Sequence, residues 1–201
     1  MVKAARIGLI LLVPVVLAAC GGGVQMTPAG EPPVIRAGES MIVFMRPSNL
    51  GSVVEASVFD VTGPDTKFVG LLNFGNKYAL PVKPGDYTFM VIGESADFMQ
   101  ATVLSNRTYY AVVTPRMGVW KARFSFRPVR QHEIGGGEFA AWTVATKYVV
   151  NTPETEKYGA AMLPDVNSKR AQYWPEWNSK PPQQRASQTL KAEDGVTGAL
   201  R

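Results

Sequence analysis

Residues 78–92 read YALPVKPGDYTFMVI, which is two short apolar runs separated by a turn sequence. The runs 78–82 and 87–92 have the length and the aromatic and β-branched content of strands. Between them, Pro84-Gly85 suits a type II turn, because proline presets φ at one central position and glycine accepts a positive φ at the next. The spacing predicts two strands joined by a tight hairpin.

Similar runs lie on both sides of this stretch, with turn sequences between them. They are residues 41–46, 54–58, 68–72, 99–104, 109–113 and 119–126. In the last run, apolar residues alternate with polar ones, which predicts a strand with one buried face and one solvent-exposed face. Eight short strands without a helical period between them predict a mainly β fold, an antiparallel two-sheet β-sandwich of about seven to nine strands over residues 41–150.

Residues 131–150 are harder to interpret. Residues 131–138 contain three consecutive glycines and predict a loop. Residues 139–150 alternate like a strand face, although Phe139, Ala140 and Ala141 are equally compatible with a helix start. We expect a final edge strand here.

Residues 151–178 are predicted to form a helical extension. Thr152 fits the N-cap and Pro153 the first helical position. A second start is predicted at Pro164-Asp165, and Pro175 is expected to end or kink the helix. The polar residues 179–201 are predicted to form a disordered tail.

Tyr173, Trp174 and Trp177 form the most distinctive cluster of the sequence, named here the aromatic patch. One interpretation is that these rings dock the helix onto the sandwich. The other is that they are exposed, either as an anchor for a partner protein or as a platform on which glycan rings stack. The exposure of the indoles decides between these interpretations.

The composition of the chain disfavours several classes of functional site. The chain has one cysteine, Cys20, and one histidine, His132, which leaves almost no material for a metal site or a Cys–His nucleophile pair. The acidic residues fall singly at turns, so we expect no catalytic residues, no cofactor and no enzyme activity. A net charge of +5 is too small to indicate nucleic-acid binding.

The N-terminus is typical of an export signal. Lys3 and Arg6 precede an apolar run over residues 7–17, which is too short to span a bilayer. The run ends in Leu17-Ala18-Ala19-Cys20, which resembles the lipobox of bacterial lipoproteins. The resemblance implies that residues 1–19 are removed after Ala19 and that Cys20 carries a covalent lipid holding the protein to a membrane.

Residues 20–40 are rich in glycine and proline and predict a flexible tether after the lipidated cysteine. Gly21 and Gly22 occupy positions where some bacteria read an inner-membrane retention signal. By that resemblance, we expect the periplasmic face of the outer membrane.

Residues 42–48, 58–60, 69–70 and 80–87 resemble small bacterial envelope lipoproteins of uncharacterised function with a transthyretin-like or immunoglobulin-like sandwich. Residues 61–66 depart from the tighter turn expected there, which leaves the strand register open. The resemblance implies only the architecture and the compartment. Because sandwiches present loops and edge strands as recognition surfaces, we expect a non-enzymatic interaction or scaffold module with an envelope protein as partner. The alternative is a lipoprotein that binds glycan or peptidoglycan through Tyr173, Trp174 and Trp177.

Overall fold

The computed structural model describes residues 24–52, 54–116 and 123–197, which form two packed β-sheets with helices outside them. The strands are β1 Thr27–Pro28, β2 Ser40–Arg46, β3 Ala56–Asp60, β4 Lys67–Leu72, β5 Asn76–Val82, β6 Gly85–Ile92, β7 Ala96–Val103, β8 Arg107–Arg116, β9 Arg123–Pro128, β10 Lys147–Val150, β11 Thr189–Leu190 and β12 Val196–Thr197. The helices are α1 Gly137–Ala145, α2 Pro153–Asn178 and α3 Pro182–Ser187, with 3₁₀ turns at Gln131–Glu133 and Ala192–Asp194.

The strand order confirms a two-sheet sandwich. The seven-stranded sheet runs β1-β10-β5-β2-β8-β12, with β9 also pairing with β8, and the five-stranded sheet runs β11-β7-β6-β3-β4. The sheets are mixed rather than antiparallel, because β2 pairs in parallel with β8, β10 with β5, and β11 with β7. The strands beyond the predicted number are short segments of two to four residues.

The predicted hairpin between β5 and β6 is wrong, since the two strands belong to different sheets. β5 pairs with β2 over its whole length, and β6 pairs with β7 over its whole length. Gly85 has a φ of 151°, well above the value of about 80° at a type II turn.

A register irregularity lies within β3, just before residues 61–66, where the sequence left the register open. The pairing of β3 with β4 shifts between Val58 and Phe59, so Val58 lies opposite Gly70 and Phe59 opposite Phe68. Asp60 stabilises the following turn, because its Oδ1 accepts hydrogen bonds from the backbone N and the Oγ1 of Thr62 at 2.9 and 2.5 Å.

Apolar side chains lie on both faces of the two sheets. Between the sheets, Phe44 contacts Phe89 edge to face at 5.1 Å. On the outside of the larger sheet, Phe139 of α1 packs against Tyr110 at 4.9 Å. α2 covers the outer face of the smaller sheet through buried residues such as Val166. This double coverage explains why β2 is buried along its whole length.

The edge strand predicted over residues 139–150 is partly wrong. Residues 137–145 form α1, and only Lys147–Val150 is a strand. Phe139 and Trp142 are three residues apart and both pack on the sheet, as one face of a helix requires. Val144 is 86% exposed, whereas a strand would have placed it on the same side as Trp142.

α2 is a single helix of 26 residues that begins as predicted. The Thr155 backbone N donates to the Thr152 side chain at 3.2 Å, which confirms the N-cap. The second start at Pro164 and the end at Pro175 are wrong, because the helix continues through both prolines to Asn178. An interior proline costs about 3 kcal/mol, and the burial of Val166 and Trp177 beyond Pro164 offsets that cost.

The disordered tail predicted from residue 179 is wrong for residues 179–197, named here the tail segment. β11 pairs with β7, and Leu190 is fully buried. The Arg130 guanidinium donates to the carbonyls of Ala186, Ser187 and Thr189 and to Asp194 at 2.7–3.2 Å. These bonds compensate for the polar composition that predicted disorder.

The predicted tether also joins the fold earlier than expected. β1 pairs with β10, and Met26 is buried beside Leu71 and Val149. The predicted tether therefore does not include Met26 to Pro28. Cys20 and the rest of residues 1–23 lie outside the described residues, as do Trp120 and Ala122 of the predicted last strand. No helix in the described part is long and apolar enough to cross a membrane.

Candidate binding cleft at the end of the long helix

The aromatic patch docks α2 onto the smaller sheet. Trp177 is 1% exposed, and its indole stacks on that of Trp174 with centroids 5.3 Å apart. Phe98 of β7 contacts both indoles, at 5.1 Å from Trp174 and 6.1 Å from Trp177. Tyr173 and Trp174 are partly buried against the same cluster. The docking interpretation of these residues therefore fits the packing.

A sugar-stacking role does not fit Trp177, because such a ring must present a free face. Trp174 covers one side of the Trp177 indole, and the Trp177 Nε1 donates to Gln188 at 3.2 Å. The Lys180 ammonium lies 5.8 Å from the Trp177 ring centroid. The glycan interpretation thus loses the indole on which it most depended.

A cleft of about 140 Å³ opens next to Trp177. It lies where the start of β7, the end of β8, the start of β9 and the C-terminal turns of α2 meet. We name it the Asp97 cleft; its lining residues are Ser95, Ala96, Asp97, Arg116, Arg123, Phe124, Tyr173, Glu176, Trp177 and Lys180.

Asp97 is the centre of a hydrogen-bond network at the base of this cleft. Its carboxylate is buried, and its Oδ2 accepts hydrogen bonds from Arg116, Ser125 and Gln188. Its Oδ1 accepts from Lys180 at 3.0 Å. A buried carboxylate is expensive unless it is paired and hydrogen-bonded. Four donors meet that requirement and fix the surrounding side chains in place.

The tail segment closes one side of the network through Gln188. The Gln188 side chain donates to Asp97 through its amide nitrogen and accepts from Lys180 at 2.8 Å through its oxygen. The same oxygen accepts from Trp177. Gln188 therefore links β7 to the end of α2, and the tail segment is part of the cleft's architecture.

Positive charge predominates at the mouth of the cleft. Arg116, Arg123 and Lys180 face two carboxylates, those of Asp97 and Glu176. The Arg116 side chain remains 47% exposed even while it contacts Asp97. Arg123 is exposed and forms no ion pair within the described ranges. Cationic donors are therefore available at the surface, whereas the buried carboxylate is fully engaged.

Arg46 supports the cleft from behind. It is fully buried, and its two terminal nitrogens donate to the carbonyls of Leu72 and Gly51 at 2.7 Å each. Its guanidinium lies 4.5 Å from the ring centroid of Phe124, which lines the cleft. Burial lowers the Arg46 pKa to about 10, although the charge of Glu55 opposes this shift.

Sequence reasoning missed this cleft. Asp97 was interpreted as one of several single acids at turns, but it lies inside β7. Its partners Arg116, Lys180 and Gln188 are between 19 and 91 residues away along the chain. No local spacing relates them. The one local signal was the aromatic patch, which marks the helix end where the cleft forms.

In the part of the chain that the structure describes, no group of three or more His, Cys, Asp or Glu residues is arranged to hold a metal ion. The arrangement at the Asp97 cleft is suited instead to holding a negatively charged group against a rigid wall. Neither a protein-family model nor a curated protein matches this chain. A sandwich fold hosts many unrelated functions, so function has to be inferred from the site itself.

Proposed function

We propose that this chain is a membrane-anchored lipoprotein that acts as a non-enzymatic interaction module in the bacterial envelope, with the Asp97 cleft as its binding site. One observation carries the proposal. β1 is the described strand nearest to Cys20 in sequence, and it forms one edge of the larger sheet. β9 contributes Arg123 to the cleft and pairs with β8 at the other end of the same sheet. The first described strand and the cleft therefore lie on opposite flanks of the sandwich, and we name the flank that carries β1 the anchor flank.

The strand order gives the approximate separation. In the larger sheet β9 is four strand spacings from β10, or about 19 Å. In the smaller sheet β7 is three spacings from β4, or about 14 Å. Met26 contacts β4 and β10 on the anchor side. A partner in the cleft would thus be displaced sideways from the anchor and clear of it.

The anchor would keep the domain close to the bilayer. Five residues lie between Cys20 and the buried Met26, and the six steps of a fully extended chain between them reach about 20 Å at most. Three acyl chains on Cys20 would make release negligible, since each buried CH₂ contributes about 0.8 kcal/mol. This geometry favours a fixed display of the cleft over a freely swinging domain.

Two finer assignments belong to the same proposal. The lipobox Leu17-Ala18-Ala19-Cys20 and the motifs at residues 42–48 and 80–87 support membership of the small envelope lipoproteins with a transthyretin-like or immunoglobulin-like sandwich. Gly21 and Gly22 support the periplasmic face of the outer membrane. A binding role is favoured over catalysis because Asp97, the buried acid of the cleft, already accepts four hydrogen bonds and is not free to act as a base.

Site-specific crosslinking in living cells tests the binding role. A photoreactive residue is placed at Glu176 on the cleft rim and, as a matched control, at Val150, which is exposed on the anchor flank. We expect a reproducible adduct with one envelope protein from position 176 and not from position 150. Equal adducts from both positions, or none from position 176, would reject the cleft as the binding site.

Fractionation of the Cys20→Ser variant tests the anchor separately. The variant should leave the membrane fraction, because the thiol that accepts the lipid is gone. Retention of a lipidated, membrane-bound Cys20→Ser protein would reject the lipoprotein assignment. It would not affect the interpretation of the cleft.

A further inference from the structure

We infer that the Asp97 cleft binds a carboxylate group carried by an extended acidic segment of the partner protein. The inference rests on the proposed function and adds the chemistry of the ligand. It follows from three features of the cleft: its surplus of cationic donors, the rigid network beneath them, and the strand edge beside them.

The charge balance selects an anion. Asp97 is contacted by two cations, Arg116 and Lys180, so it neutralises only part of their charge. Arg123 adds a further cation without an ion pair in the described part of the chain. The opposing charge is that of Glu176. An incoming carboxylate would be attracted by this surplus, and a cation would be repelled.

The network prepares Arg116 for binding. Its Nε donates to Ser125 and one terminal nitrogen donates to Asp97, which holds the planar guanidinium in one orientation. A guanidinium fixed in this way loses little entropy when it binds a ligand. Nearly half of the side chain stays exposed and is available to a carboxylate.

The walls of the cleft indicate what the carboxylate is attached to. Phe124, Tyr173 and Trp177 line it with apolar surface. This surface suits the aliphatic stem of an acidic side chain better than a small, fully hydrated ion. The cleft is also too small to enclose a large ligand, so one side chain of a longer segment fits best.

The neighbouring strand favours an extended segment. β9 hydrogen-bonds to β8 on one side, and no strand in the described ranges pairs with its other edge. Arg123 is the first residue of β9, so a peptide aligned with this edge would pass the cleft. Strand addition of this kind supplies backbone hydrogen bonds, while the cleft would select the acidic side chain.

The test uses the full lipidated protein in detergent micelles with ¹⁵N-labelled tryptophan. The probes are the capped peptides acetyl-Glu-Val-Glu-amide and acetyl-Gln-Val-Gln-amide. The Trp177 indole N–H donates to Gln188 within the network, so its resonance reports events in the cleft. We expect saturable shifts with the glutamate peptide, weaker at high salt, and affinity for the glutamine peptide at least about tenfold lower.

Two charge reversals complete the design. Arg123→Glu should weaken binding of the glutamate peptide about tenfold, because it replaces an attractive charge with a repulsive one. Lys147→Glu makes the same change at an exposed site on the anchor flank and should leave binding unchanged. Equal affinity for the two peptides, or equal loss in both variants, would overturn the inference. If position 176 still captures a partner under that outcome, the interaction function stands and only the carboxylate assignment fails.

Discussion

Gly159 of α2 lies directly against the ring of Phe68 on β4. A Cβ atom at position 159 would stand 2.2 Å from the Phe68 Cγ, far inside van der Waals contact. Phe68 in turn packs edge to face on Phe59 of β3 at 5.4 Å. The absence of a side chain at position 159 therefore sets how closely the long helix approaches the sheet.

Gly159→Ala should destabilise the protein, although alanine is the better helix former. Helix propensity favours alanine by about 1 kcal/mol, whereas overpacking of a filled contact costs about 1–3 kcal/mol. We expect a net loss of about 1 kcal/mol in the free energy of unfolding, measured by urea denaturation. In a Phe68→Ala background the same change should become stabilising. A stabilising effect in the native background would show that the contact is loose.

Trp177→Ala should reduce stability rather than affect sugar retention. Removing a fully buried tryptophan costs about 3–5 kcal/mol, and Trp177 also holds Trp174 and Phe98 in place. Trp177→Phe should retain part of the packing and lose the hydrogen bond to Gln188, at about 1–2 kcal/mol. Val144→Ala, at an exposed site, is the control. An unchanged unfolding midpoint in Trp177→Ala would contradict the burial seen here.

The central strands were predictable because their signals are local. Burial on both faces gives continuous apolar runs such as residues 41–45, and the turn residues between runs mark where each strand ends. The start of α2 was predictable for the same reason, since Thr152 and Pro153 act within one turn of helix. Which strand pairs with which was not predictable, because a two-residue link serves equally well within one sheet or between two.

The ends of the chain and the cleft depend on contacts that are distant in sequence. The composition of residues 179–197 predicts disorder, and they are ordered by groups distant in sequence, such as Arg130, about 60 residues earlier. Asp97 likewise acquires its role from Arg116 and Lys180, which arrive from other elements. A local sequence pattern contains no information on contacts between residues that are distant along the chain. The aromatic patch was found from sequence, and its burial was left open until the helix could be placed.

Arg130→Ala should release the tail segment. The substitution removes the donors to three tail carbonyls and leaves the buried Asp194 carboxylate without its cation. Unpairing a buried charge costs about 3 kcal/mol. We expect faster tryptic cleavage after Arg185 and Lys191. Arg36→Ala, at an exposed arginine, is the matched control, and equal cleavage of the two variants would show that Arg130 does not hold the tail.

Stability should fall at alkaline pH because of the buried tyrosines. Burial raises the pKa above 10.0 for Tyr78, Tyr87, Tyr109, Tyr148 and Tyr158. A raised pKa means that above pH 10 the folded state holds phenolic protons that the unfolded state has released. Stability from these groups is complete below pH 10 and is lost as the pH rises through the folded-state values. Burial lowers the pKa of Arg46 to about 10, so the folded state releases this proton at a lower pH than the unfolded state. The contribution of Arg46 to the free energy of unfolding therefore rises with pH over the same range.

Tyr78→Phe isolates one of these contributions. The Tyr78 hydroxyl has no hydrogen-bond partner in the described residues, so its removal should cost little at pH 7. Between pH 9 and pH 11 the variant should lose less stability than the unmodified protein, because one group with a raised pKa is absent. Arg46 is present in both proteins and its effect cancels in the difference. The free energies of unfolding of both proteins are measured by urea denaturation at each pH. If they change in parallel between pH 9 and pH 11, the two proteins release the same number of protons on unfolding, which would contradict the raised pKa of Tyr78.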